Sequence, residues 1–241
     1  MNIRQGTITE HEFESRELDE TISLLIYLPP AFSPLYKHSV LIVQDGRDYF
    51  QMGRLSRFAD ELLGNNEIEN VIIVGVPYQN AKDRRSKYHP DGEKNEAYIR
   101  FLAHELLPWV ETEYPAYCMG KCRTLMGDSL AGTVSLMAAL RYPNIFGNVI
   151  LHSPFVNDKV LSAVKSHKEP HLLDIYHVVG KEEHEVKFSP ERVEDFLTPN
   201  RELQQAFMEA GFETFYDEFD GGHAWTYWQP DVKRALKMMF S

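Results

Sequence analysis

The sequence predicts an α/β fold with a mostly parallel central sheet and helices on both faces. Two observations carry this. From residue 40 onward, short apolar runs rich in β-branched residues alternate with amphipathic stretches, the pattern of repeated βαβ units. Several runs are apolar almost throughout rather than alternating, as strands covered on both faces are. No stretch reads as a linker and no repeat is visible, so residues 1–241 are expected to form one domain.

Taken in order, the expected strands are 22–28, 40–44, 71–76, 123–126, 148–152, 175–179 and 214–219. The first is followed by Pro29 and Pro30 and is expected to join as an antiparallel edge. Helical spacing of Leu55, Phe58, Ala59, Leu62 and Leu63 predicts a helix over 52–63. A second helix is expected over 96–113, bent or restarted at Pro108, and a third over 130–142. A fourth, over 201–210, has Gly211 as its C′ residue. The last, over 231–240, starts after Pro230. The polar stretches 79–95 and 180–198 are expected to be loops, long enough to serve a site.

The chain has 25 Lys and Arg against 36 Asp and Glu, a net charge of −11. That balance argues against an electrostatic nucleic-acid footprint and against docking on anionic membranes. No apolar stretch is long enough to span a bilayer, and the first twenty residues lack the apolar region of a signal peptide. Cys118 and Cys122 fit no usual zinc spacing and are expected to be reduced thiols in a cytoplasmic protein. No dinucleotide fingerprint or P-loop occurs, so neither cofactor nor metal is expected.

The chemistry concentrates in four places. Gly127-Asp128-Ser129-Leu130-Ala131-Gly132 lies between an expected strand and an expected helix, the context of a nucleophile elbow. Such an elbow needs small flanking residues, because the helix starts close above the strand. Gly127 and Ala131 supply them. The string alone would occur in roughly one chain in ten at ordinary glycine usage. A Ser that merely caps a glycine-rich helix is the plain alternative. The second place is Gly221-Gly222-His223-Ala224-Trp225, after the last strand, where a general base belongs in this chain order. The third is an acid to orient the imidazole, expected after the strand 175–179. Glu183 ranks first, then Asp195, then Glu182. An oxyanion hole would draw one backbone N–H from Leu130 and one from Arg47, on the turn Gln44-Asp45-Gly46-Arg47.

Together, D-G-x-x-x-F after an early strand, G-D-S-L-A-G, and G-G-H-x-W-x-x-W resemble the putative-esterase family of α/β-hydrolases. That family includes enterochelin esterase-like, esterase D-like and feruloyl esterase-like enzymes. The similarity runs from about residue 20 to 240. It implies the α/β-hydrolase fold, a small-molecule ester substrate and an acyl-enzyme route, with Ser129 as nucleophile and His223 as base. Family spacing points to Glu183 as acid, although Glu-Asp-Phe-Leu at 194–197 also matches the post-strand segment of some members. The same apparatus could serve an acyltransferase, or a catalytically silent binding module. A homo-oligomer is left open.

Other residues have weaker claims. His152, at the carboxyl end of an expected strand, and His89, in the polar stretch, are candidate substrate contacts, as is Trp225. Arg84 and Arg85 read as surface charge, with an acidic substrate group as the alternative. His167 and His171 are separated by Pro170, which spoils a helical metal pair.

Overall fold

The structure, a computed structural model, describes residues 4–189 and 192–241. Its centre is an eight-stranded sheet in the order β1-β2-β4-β3-β5-β6-β7-β10. The strands are β1 (Thr7–Ser15), β2 (Glu20–Leu28), β3 (Ser39–Gln44), β4 (Val71–Val76), β5 (Arg123–Asp128), β6 (Asn148–His152), β7 (Asp174–Gly180) and β10 (Glu213–Phe219). From β4 to β10 the neighbours run parallel, and β1 and β2 are antiparallel additions. β3, β4, β5 and β6 are almost wholly buried, as their near-continuous apolar runs require.

Helices cover both faces. One face carries α3 (Ala81–Tyr88), α4 (Asn95–Phe101), α5 (Leu107–Glu113), α6 (Ser129–Arg141), α7 (Asp158–Ser166) and α8 (Leu197–Ala210), packed around Tyr98, Val134, Val160 and Phe207. The other carries α1 (Gly46–Gln51), α2 (Leu55–Gly64) and α9 (Trp225–Phe240), around Tyr49, Leu62, Val232 and Leu236. No helix among the described residues is long and apolar enough to cross a membrane.

Four sequence expectations change. The antiparallel edge is β1, not the strand at 22–28. β1 is exposed along most of its length, so it has no apolar run to announce it. The stretch 79–95 contains α3, whose first turn is held by Asn80 accepting from the N–H groups of Lys82 and Asp83. It presents no apolar stripe, so periodicity missed it. The stretch 180–198 contains a small antiparallel hairpin, β8 (Val186–Ser189) with β9 (Arg192–Glu194), and the start of α8; residues 190 and 191 fall outside the described residues. Finally, α9 begins at Trp225 and carries Pro230 within it. At Pro108 the helix continues through a π-helical turn, Leu102–Leu106, which absorbs the irregularity the proline imposes. Gly211 ends α8 at φ 83°, as its sequence position predicts.

β4 and β5 flank β3 on opposite sides, so the order in which parallel strands are added reverses there. The carboxyl ends of β3 and β5 therefore form the crevice where ligands bind in open α/β sheets.

Candidate active site

Ser129 stands at that crevice, first residue of α6 and directly after β5. Its φ is 51°, a left-handed conformation that a non-glycine residue holds only when its surroundings enforce it, at a cost of about 1–3 kcal/mol. Close packing enforces it here. A Cβ added to Gly127 would lie 2.3 Å from the Ala131 carbonyl carbon. The N–H of Phe155 donates to the Ser129 carbonyl at 3.2 Å.

The neighbouring strands deliver the rest. Ser153 directly follows β6 and is itself left-handed at φ 46°. The turn after β7 delivers Glu183, which is fully buried, and the turn after β10 delivers His223. Glu183 Oε2 accepts from His223 Nδ1 at 2.7 Å. The other oxygen, Oε1, accepts from Ser153 Oγ at 2.6 Å and from the Gly180 N–H at 2.8 Å. Trp228 Nε1 donates to Ser153 Oγ at 3.0 Å. The imidazole is walled by Phe196 and Trp228, with ring centroids 4.2 and 4.7 Å away. Ser129 follows β5, the strand beside β6 and Ser153, and among the described residues no hydrogen bond joins it to His223.

Arg47 and Leu130 are each the second residue of a helix, α1 and α6, where amides have no acceptor inside their own helix. Each follows a left-handed turn, at Asp45 (φ 54°) and at Ser129. Gly46 makes the first turn possible, since a Cβ there would lie 2.4 Å from Gly75 Cα. A cavity of about 380 Å³ opens beside Arg47, lined also by Asp48, Tyr78, Gln79 and Lys87.

Other sequence candidates fall elsewhere. Asp195 is exposed and its Oδ1 accepts from the Thr198 N–H at 3.0 Å, which makes it a cap of α8. Glu182 is exposed. His152 must be corrected as a substrate contact. It is wholly buried, with Nδ1 2.9 Å from the Tyr49 hydroxyl and Nε2 3.1 Å from Asp231 Oδ2, so neither ring nitrogen is free. Trp225 is half-buried against Tyr49 and Trp228, whereas Trp228 touches the imidazole. His89 keeps a place on the rim, with its ring 5.1 Å from Phe155 and its pKa held below the ordinary value by burial. Arg85 is exposed, but Arg84 turns inward onto Asp45. Among the described residues no cluster of three His, Cys, Asp or Glu side chains is arranged to hold a metal ion. Sequence reading missed Ser153 as the support of Glu183, because that contact joins residues 30 apart in the chain.

Residues 15–239 match the family model described as "Putative esterase". The chain belongs to this esterase family. By that membership it is a carboxylic ester hydrolase. It is 51% identical to the uncharacterized protein YjcH of Bacillus subtilis, over 98% of each chain. Among solved structures it is similar to a ferulic acid esterase, with a TM-score of 0.80, 19% identity and 98% of each chain covered. It is also similar to the enterobactin esterase of Shigella flexneri, with a TM-score of 0.81, 18% identity, and 99% of this chain matched to 61% of that one. At these identities the structural likeness speaks for the α/β-hydrolase fold.

Proposed function

We propose that the chain cleaves carboxylic esters through an acyl-enzyme, with Ser129 as nucleophile, His223 as general base and acid, and Glu183 as the orienting carboxylate. The observation that carries the reading is the 2.7 Å bond from His223 Nδ1 to buried Glu183. It fixes the tautomer that leaves Nε2 free to take a proton. Ser129 Oγ attacks the ester carbonyl as His223 takes its proton. The N–H groups of Arg47 and Leu130 hold the oxyanion. The bond from the carbonyl carbon to the alcohol oxygen then breaks, and His223 returns the proton to the departing alcohol. Water repeats the sequence on the acyl-enzyme, releasing the acid and restoring Ser129.

Phe155 and Phe188 lie beside Phe196 and His223, which supports an ester carrying a flat aromatic group. The names of the ferulic acid and enterobactin esterases fit that reading. Free Cys118 and Cys122 support a reducing, cytoplasmic setting.

The test is hydrolysis of p-nitrophenyl acetate, p-nitrophenyl benzoate and methyl ferulate by purified protein, with fluorophosphonate labelling. Wild type should be labelled at Ser129. Ser129→Ala should keep its fold and lose about 10³–10⁶-fold in kcat. A Ser129→Ala protein with wild-type turnover sinks the reading, and indifference to the aromatic group sinks the substrate part alone.

A further inference from the structure

A knot of buried charge lies beside the two turns that would supply the oxyanion amides. Asp45 precedes Arg47 by two residues, and Asp128 precedes Leu130 by two. Both aspartates sit at the N-cap of a helix, yet neither side chain caps that helix. Arg84, reaching over from α3, joins them instead. Its Nε lies 3.0 and 2.8 Å from the two Asp45 carboxylate oxygens, and its Nη2 lies 2.6 Å from Oδ2. The same Nη2 donates to the Asp128 carbonyl at 3.3 Å and stands 4.0 Å from the Asp128 carboxylate. The rings of Tyr78 and Tyr88 lie 5.8 and 5.7 Å from the guanidinium carbon. One planar side chain therefore spans from the turn after β3 to the turn after β5, with bidentate geometry that an ammonium cannot reproduce.

Electrostatics points the same way. Two buried carboxylates stand two residues before the amides that would stabilise a developing negative charge. Burial pushes both aspartates toward the protonated form, and Arg84 opposes that for each. An uncompensated carboxylate at either turn would act against the oxyanion.

We infer that Arg84 is a positioning residue for the oxyanion hole: by bridging Asp45 and the turn at Asp128 it sets the spacing of the Arg47 and Leu130 amides and pairs the Asp45 carboxylate. This rests on the reading of Ser129 as nucleophile. Arg84 touches no reacting atom in it and acts only through the two turns.

The experiment compares Arg84→Met, Arg84→Lys and the double variant Arg84→Met/Asp45→Asn with wild type. It reads melting temperature, then kcat and KM for p-nitrophenyl acetate below the lowest melting point. The double variant removes the stranded carboxylate and protects the fold if Arg84→Met is unstable. Displacing or losing one oxyanion donor costs about 10²–10³-fold in rate. We expect Arg84→Met to lose at least thirtyfold in kcat, on the order set by that loss, with KM little changed. Arg84→Lys should recover part of it, and the folded double variant should stay well below wild type because the bridge is still missing. Wild-type kcat in folded Arg84→Met or in the double variant overturns the inference, as does a loss confined to KM. Ser129→Ala in the same series separates the two readings. If it is active, the nucleophile assignment falls. If it is inactive while the double variant turns over normally, only the role of Arg84 falls.

Discussion

Ser153 Oγ donates to Glu183 Oε1 at 2.6 Å, so the carboxylate that holds His223 is itself held from the next strand end. The hydroxyl also accepts from Trp228, whose ring walls the imidazole. Ser153→Ala would leave a buried indole N–H without its acceptor and Glu183 with fewer donors. The expected outcome is a loss of about 1–3 kcal/mol in stability and about tenfold in kcat, with KM unchanged, because the looser carboxylate lets the imidazole wander. Urea denaturation and steady-state kinetics on the one variant check both. A destabilised protein with full kcat would separate the support of Glu183 from the chemistry.

The three acids near the site make different predictions. Glu183→Gln preserves shape but removes the charge that stabilises an imidazolium, and kcat should fall by about 10²–10⁴-fold. Asp195→Ala should keep kcat within about threefold and cost roughly 1 kcal/mol through loss of a helix cap. Glu182→Ala should do neither, since that side chain is exposed. A collapse of activity in Asp195→Ala with Glu183→Gln active would reverse the assignment.

How far the sequence reaches is visible in these residues. Ser129 and His223 stand out as candidates because the proposed chemistry demands small neighbours around each and a fixed order along the chain, both readable from sequence. Glu183 is legible only as the first of three, since its selection depends on Ser153, Gly180 and the imidazole converging from separate strand ends. His152 misleads because the end of a strand says nothing about which face the side chain takes. Alternation puts it on the same face as Ile150, under α1 and α9, where Tyr49 and Asp231 enclose it. Arg84 reads as surface charge in a polar stretch, and only the fold shows the two aspartates that turn it inward.

Gly127 tests the elbow itself. A methyl group there would lie 2.3 and 2.4 Å from the Ala131 carbonyl carbon and oxygen, both backbone atoms that cannot rotate away. Gly127→Ala must push α6 off β5 or undo the left-handed turn at Ser129. The expected cost is about 3 kcal/mol in stability, with fluorophosphonate labelling of Ser129 slowed in whatever remains folded. Normal labelling and a wild-type urea midpoint would mean that the helix does not start as close above the strand as this geometry requires.

His177 sets a pH dependence of stability that is independent of catalysis. It is wholly buried, with Nε2 2.7 Å from Asn200 Oδ1. Its Nδ1 has no partner among the described residues. Burial pushes its pKa down to about 4 from the ordinary 6.5, against a smaller upward pull from Asn200. The folded protein therefore resists a proton that the unfolded chain accepts. Its contribution is fully present above pH 6.5 and is lost as pH falls toward 4, where both states become protonated. Between pH 7 and pH 5 the loss should be about 2 kcal/mol. Carboxylates add their own slope, so the comparison is with His177→Asn, which is less stable throughout but lacks this contribution. Urea midpoints of both proteins at the two pH values isolate it. Equal drops in the two proteins would mean that His177 takes up its proton as readily in the fold as outside it.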